Sequence, residues 1–306
     1  MDNLPLSPRS EVRLASKAMK PLDPLARMIG AEVRGLFAPD EAGGDSFEPG
    51  IGLFPADAVS RRVHGDVTCM MVGGVSALLL QMLHPGALAG VWDHSNFRND
   101  MQGRLRRTGR FIGATTYGRQ EDADRYIDRV LAVHGDVRGK RPDGTPYSAF
   151  DPHLVTWVHV SELQSFLAAW KRYREPAMPR EEEDRYFAEN VVVAKRLGGR
   201  DIPASRREVD AFLAEIRPEL VVDHRVREVR SALMTHRSDS LLARPADTLF
   251  MRAGIDLLPE WAQRMHGLRL LPGEAFGVRA AVSAISRTVG WALESTRPPA
   301  TERMRG

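Results

Sequence analysis

From Asp57 onward, apolar positions in this chain recur every three or four residues almost everywhere, the spacing of one helix face. Leu25 to Phe37 reads as one amphipathic helix, and Glu41 to Gly52 as a loop rich in Gly and Pro. Val59, Val63 and Val67 open a stripe that runs into an uncharged stretch ending at Leu83. His84-Pro85 closes that stripe, because the residue before a proline is pushed out of the helical region. Asn99 or Asp100 is placed to cap a helix reaching about Tyr117, and Glu121 to Gly139 reads as the next. Lys140 to Tyr147 is turn composition. Asp151-Pro152 then supplies an N-cap and a first-turn proline for a helix to about Tyr173. Pro179–Leu197, Ser205–Ile216, Val221–Leu242 and Ala275–Leu293 follow the same pattern. No stretch alternates long enough to predict a strand.

This pattern predicts an all-α protein: a single large helical domain around a central apolar helix. A lead-in with one helix occupies residues 1–50, the helical domain 51–295, and a tail expected to be disordered 296–306. The chain has 306 residues, 43% hydrophobic and 27% charged, enough apolar material for one large core. The uncharged run Val67–Leu83 is marginal for a membrane span and is broken by Gly73-Gly74, so it reads as the buried centre of the globule. Peripheral membrane contact stays open, and so does the oligomeric state. The formal net charge of +3 argues against a nucleic-acid footprint. Cys69 is the one cysteine and lies in the apolar run, which suits a small core residue. The sequence MDNLPLSPRS has no basic segment followed by an apolar one, and the expected location is cytoplasmic.

Several common chemistries are missing. The chain has no GxGxxG, no GxxxxGK[ST], no HExxH, no Glu-x-x-His pair, no CxxCH and no GxSxG. What remains is histidine, arginine and threonine on helices. In FRNDMQGRLRRTGRF, Arg104 and Thr108 are one turn apart, as are Arg107 and Phe111, so all four fall on one side of a helix. In YIDRVLAVHGDVRG, Ile127, Val130, Leu131 and His134 keep helical spacing, which puts His134 on an apolar stripe. Taken alone, that histidine is open to two readings, a hydrogen-bonded core residue or a metal ligand. The arginines at 98, 104, 106, 107 and 110 read either as a solvated face or as an anion site. His84 and His94 read as helix-end residues. His153 and His159 point different ways on one helix and read as packing.

Four segments in order resemble the MpaB-type oxygenases: LLLQMLHPGALAGVWDHSNFRND, GRLRRTGRF, VHGDVRG and YSAFDPHLVTWVH. That family includes the latex-clearing rubber oxygenases and the oxygenase that trims the farnesyl chain in mycophenolic acid biosynthesis. The similarity spans roughly residues 57–290 and is densest over 73–160. It implies a helical fold with a non-covalent heme b in a buried pocket, and molecular oxygen as co-substrate. The rubber oxygenases carry Arg-x-x-Lys-Thr on the distal side of the heme and a downstream proximal histidine. The matching positions here are Arg104, Arg107 and Thr108, with His134 as the iron ligand. The resemblance thus casts Arg104, Arg107 and Thr108 as catalytic and heme-contacting residues.

Arg107 stands where the rubber oxygenases have lysine. Arginine stays protonated and offers no lone pair, so an open sixth iron position is expected. No glutamate lies between Val72 and Leu105 to match a distal carboxylate base, and Asp93 or Asp100 would have to serve. Arg107 or Arg98 would anchor the heme propionates. The expected activity is heme-dependent oxygenation of a small, largely apolar, isoprenoid or alkene-containing molecule, with oxidative cleavage of its double bond. Two alternatives remain: a non-catalytic heme- or lipid-binding helical protein, and an anion or nucleic-acid binder built on the Arg98–Arg110 stripe.

Overall fold

The computed structural model describes residues 23–35, 46–235 and 244–296, and within them the chain forms thirteen α-helices and one β-hairpin. In chain order these are α1 (Asp23–Gly35), α2 (Val59–Val63), α3 (Val67–Gln81), α4 (Pro85–His94), α5 (Met101–Tyr117) and α6 (Gln120–Asp136). The hairpin β1 (Arg138–Lys140) and β2 (Pro146–Ser148) follows, then α7 (Pro152–Tyr173), α8 (Arg180–Arg196) and α9 (Arg206–Glu215). A 3-10 turn (Arg217–Glu219) leads to α10 (His224–Thr235), α11 (Arg244–Leu257), α12 (Glu260–His266) and α13 (Pro272–Ser295). The expected lead-in, loop and tail lie partly outside the described residues, as do positions 236–242 of the helix expected from Val221 to Leu242.

The single stripe expected from Val59 to Leu83 is two helices. Asp66 breaks it: its backbone is extended and its carboxylate accepts from the amide of Cys69 at 2.8 Å, restarting the helix as α3. The same carboxylate bonds the Ser286 hydroxyl of α13 at 3.0 Å and pairs with Arg174 at 3.3 Å, so the cap also fixes a tertiary corner. Asp100 caps α5 through the Gly103 amide, Asp151 caps α7 through the His153 amide, and Ser205 caps α9. The turn expected at Lys140–Tyr147 is the bend of the antiparallel β1–β2 hairpin, paired Arg138↔Ser148 to Lys140↔Pro146. Its strands are three residues long, too short for alternation to register in the sequence. Helices α4, α11 and α12 form in addition to those the spacing predicts.

The apolar helix α3 is central. It packs most extensively on α7, then on α11 and α13. Cys69, Val72, Leu79 and Leu80 of α3 and Trp157, Val160 and Leu167 of α7 have 1% exposure or less. Each fully buried side chain of the larger kind contributes roughly 1.5–3 kcal/mol. Gly73 brings the two helices close, since a Cβ there would lie 2.8 Å from Phe166 Cδ1. Helices α5 and α6 are joined at Gly118-Arg119 and pack against each other. No helix among the described residues is long and apolar enough to cross a membrane. Together α3 and α4 pass that test by composition, but they are bent by 105° and α3 is walled in by other helices.

Candidate functional site

Arg104 lies in the first turn of α5 and His134 in the last turn of α6. The α6 stripe is buried at Ile127 but only half-buried at Val130, Leu131 and His134. Val133 and Phe150, on either side of His134 in the chain, are 58% and 46% exposed. The Phe150 ring stands edge-on to the imidazole with centroids 6.2 Å apart. This is an apolar surface that the protein itself leaves partly uncovered. Nδ1 of His134 is buried and has no hydrogen-bond partner. Burial holds the ring below the usual histidine range, so it is neutral at pH 7. A neutral imidazole is the metal-ligating form.

Arg104 is half-buried and donates to the Ser95 hydroxyl at 3.2 Å. Burial, and then the neighbouring charge of Arg107, lower its pKa, so it is a desolvated cation. Thr108 is exposed and its hydroxyl donates to the Arg104 carbonyl one turn back, at 3.2 Å. Arg107 is 58% exposed and paired with Asp100 at 3.1 Å. Of the three α5 residues expected in the site, only Arg104 is desolvated. Arg98, the other expected propionate anchor, pairs with Glu228 at 2.7 Å and stacks on Trp92 and Phe97. Arg110, by contrast, is 6% exposed.

Neither aspartate expected to replace the missing glutamate is free. Asp93 accepts the Tyr147 hydroxyl at 2.5 Å, and the same hydroxyl lies 3.2 Å from His94 Nε2. Burial and Asp93 push Tyr147 up to about 12. Asp100 is occupied by the α5 cap and by Arg107. His84 caps α4, accepting the Gly86 amide on Nδ1 at 3.1 Å, which agrees with a helix-end role.

A second polar group lies inside the helices. His64, just after α2, meets the Thr116 hydroxyl of α5 at 3.0 Å through Nδ1 and the Tyr186 hydroxyl of α8 at 2.9 Å through Nε2. Burial drives its pKa down to about 3, and His159 adds to the effect. His159 is 8% exposed, its Nε2 has no partner, and burial takes it down to about 4. One turn along α7, burial alone raises Glu162 to about 7. The sequence does carry a signal for Glu162: it is the only Asp, Glu, Lys or Arg between Pro152 and Trp170. His64 and Tyr186 carry none, because only the packing of α2 against α8 joins them.

An all-helical domain with a desolvated arginine on α5 and, on α6, a neutral imidazole whose buried Nδ1 has no partner suits an oxygenase domain. Residues 61–288 match the family described as ER-bound oxygenase mpaB/B′/rubber oxygenase, catalytic domain, and the chain belongs to that family. It therefore carries an oxygenase domain, which uses molecular oxygen. Comparison with curated proteins and with solved structures returns no match.

Proposed function

We propose that this oxygenase holds a heme b on the half-covered apolar face beside His134 and oxidises a small, largely apolar, isoprenoid or alkene-containing substrate with cleavage of its double bond. The observation that carries the reading is His134: a neutral imidazole whose buried Nδ1 has no protein partner, set among apolar side chains that the fold leaves partly exposed. The residues fit the group. His134 would hold the group through a ring nitrogen, with the apolar side chains of Val130, Leu131, Val133 and Phe150 available to pack against it. Bound heme supplies a redox-active iron at which oxygen is activated.

The chain's own contribution is positional and electrostatic. Ser95 holds the Arg104 guanidinium, and a fixed cation of this kind would stabilise negative charge on a reacting oxygen species held next to it. Desolvation strengthens that interaction, since a charge in a low-dielectric site is poorly screened. Thr108 ties the first turns of α5 together through the Arg104 carbonyl and so holds the arginine's backbone. The apolar side chains around His134 would favour an apolar substrate.

The test is spectroscopic. Purified full-length protein supplied with hemin should give a Soret band and one heme per chain by pyridine hemochrome. His134→Ala should lose that band or shift it strongly. Unchanged spectra in His134→Ala would remove this histidine from the ligand role, and no heme uptake by the wild type would remove the cofactor.

A further inference from the structure

Outside the α5 and α6 residues described above, three side chains from three separate elements meet at one point: His84 before α4, His153 in the first turn of α7, and Glu219 at the end of the 3-10 turn. One ligand atom from each lies within 4.8 Å of the other two. The Glu219 carboxylate offers a different oxygen to each ring, 3.4 Å from His84 Nε2 and 3.2 Å from His153 Nε2. From this geometry we infer a binding site for a divalent transition-metal ion of the zinc class, held by His84 Nε2, His153 Nε2 and the Glu219 carboxylate.

The distances suit it. With metal–nitrogen and metal–oxygen bonds of about 2.0–2.2 Å, tetrahedral ligand atoms sit roughly 3.3–3.5 Å apart. Two imidazoles and one carboxylate are a ligand set for borderline divalent ions, and the set leaves at least one coordination position for water. That position faces solvent, because His153 and Glu219 are about half exposed while His84 is 12% exposed. The rings are already held in place. His84 packs on Trp157 and His153 on Phe212, and the two imidazoles lie edge to face with centroids 6.2 Å apart. One positive neighbour, Arg141, acts on His84 and is paired with Asp143 at 3.6 Å.

The proton positions make the site testable. The Gly86 amide donates to His84 Nδ1, so without metal the His84 proton sits on Nε2 and points at Glu219. A metal on Nε2 displaces that proton to Nδ1, with no net release, and the Gly86 amide loses its acceptor. Metal binding therefore gives up one helix cap in exchange for tying together the α3–α4 corner, the start of α7 and the segment before α10. No residue is shared with the His134 face, so this site is independent of the heme reading.

The experiment titrates chelator-treated, full-length protein with zinc ions against a chromogenic zinc chelator. The expected result is one equivalent per chain. Affinity should fall by more than about tenfold in His153→Gln, Glu219→Gln and His84→Asn, since even an outer-shell partner acts on that scale. His84→Asn keeps a good N-capping side chain, so its loss of zinc is not a loss of fold. His134→Ala should bind zinc like the wild type. Nitrogen NMR of the imidazoles should show the His84 proton moving from Nε2 to Nδ1 on saturation. A wild type that does not bind, or binding that survives all three ligand substitutions, would overturn the assignment.

Discussion

The hydroxyl of Tyr186 on α8 and Nε2 of His64 after α2 meet at 2.9 Å in a site where Tyr186 has no exposed surface. The other ring nitrogen reaches Thr116 on α5, so one imidazole joins three elements. Whichever nitrogen carries the proton, one hydroxyl accepts and the other donates. Tyr186→Phe keeps the ring but leaves a buried nitrogen without a partner, which costs roughly 1–3 kcal/mol. Urea unfolding should show that loss. A variant as stable as the wild type would mean the imidazole finds another partner.

Adjacent glycines in α3 should respond in opposite ways to the same substitution. A Cβ on Gly73 would stand 2.8 Å from Phe166 Cδ1 and 3.0 Å from its Cα, whereas nothing lies within 4 Å of one on Gly74. Gly73→Ala has to push α7 away from α3 and should destabilise by about 1–3 kcal/mol. Gly74→Ala only removes backbone freedom inside a helix and should stabilise by roughly 0.5–1 kcal/mol. Thermal melts of the two variants compare them directly. Equal shifts in one direction would contradict the α3–α7 contact.

Glu162 makes stability depend on pH with a definite sign. Its folded pKa is raised to about 7 from 4.5, so the folded state binds its proton more tightly than the unfolded chain does. The contribution is fully present below pH 4.5 and is lost as pH rises through about 7. Glu162→Gln cannot ionise, so it should match the wild type at low pH and be more stable at pH 8, by up to ~3 kcal/mol. His64 and His159 act in the other direction, with folded values of about 3 and 4 against an ordinary 6.5. Their contribution is present above pH 6.5 and is lost as pH falls towards those values. Denaturant curves for wild type and Glu162→Gln across this range give the difference. A gap that did not widen between pH 5 and 8 would show that Glu162 is solvated.

The arginines of α5 should separate by burial. Arg104 is desolvated and held by Ser95, while Arg107 is exposed and already paired with Asp100. If the proposed heme reading holds, Arg104→Ala should lower turnover by about 10²–10³-fold, the scale of removing one preorganised donor. Arg107→Ala should cost much less, because a screened surface pair contributes little. Both should keep the Soret band. Substrate-dependent oxygen uptake ranks the two, and equal losses would place Arg107 beside the reacting atoms as well.

The chain's periodicity alone determined that this protein is helical, because apolar residues three and four apart have one face to bury and strands need another period. Local chemistry also set most starting points: Asp100, Asp151 and Ser205 sit where an open helix start needs an acceptor, and each provides one. The α5 and α6 motifs and the family were legible for the same reason, since their residues lie within a few turns of each other.

What each side chain does was decided by packing. Arg104, Arg107 and Thr108 share a side of α5 by spacing, yet only Arg104 is desolvated, because neighbouring elements cover that helix unevenly. Asp66 reads as one more polar residue until α13 and residue 174 arrive to use its carboxylate. His64 and Tyr186, or His84, His153 and Glu219, are far apart in the chain and meet only when helices cross. Local sequence encodes propensity and capping over a few residues. Desolvation and ligand geometry depend on distances between segments, and those exist only in the folded chain.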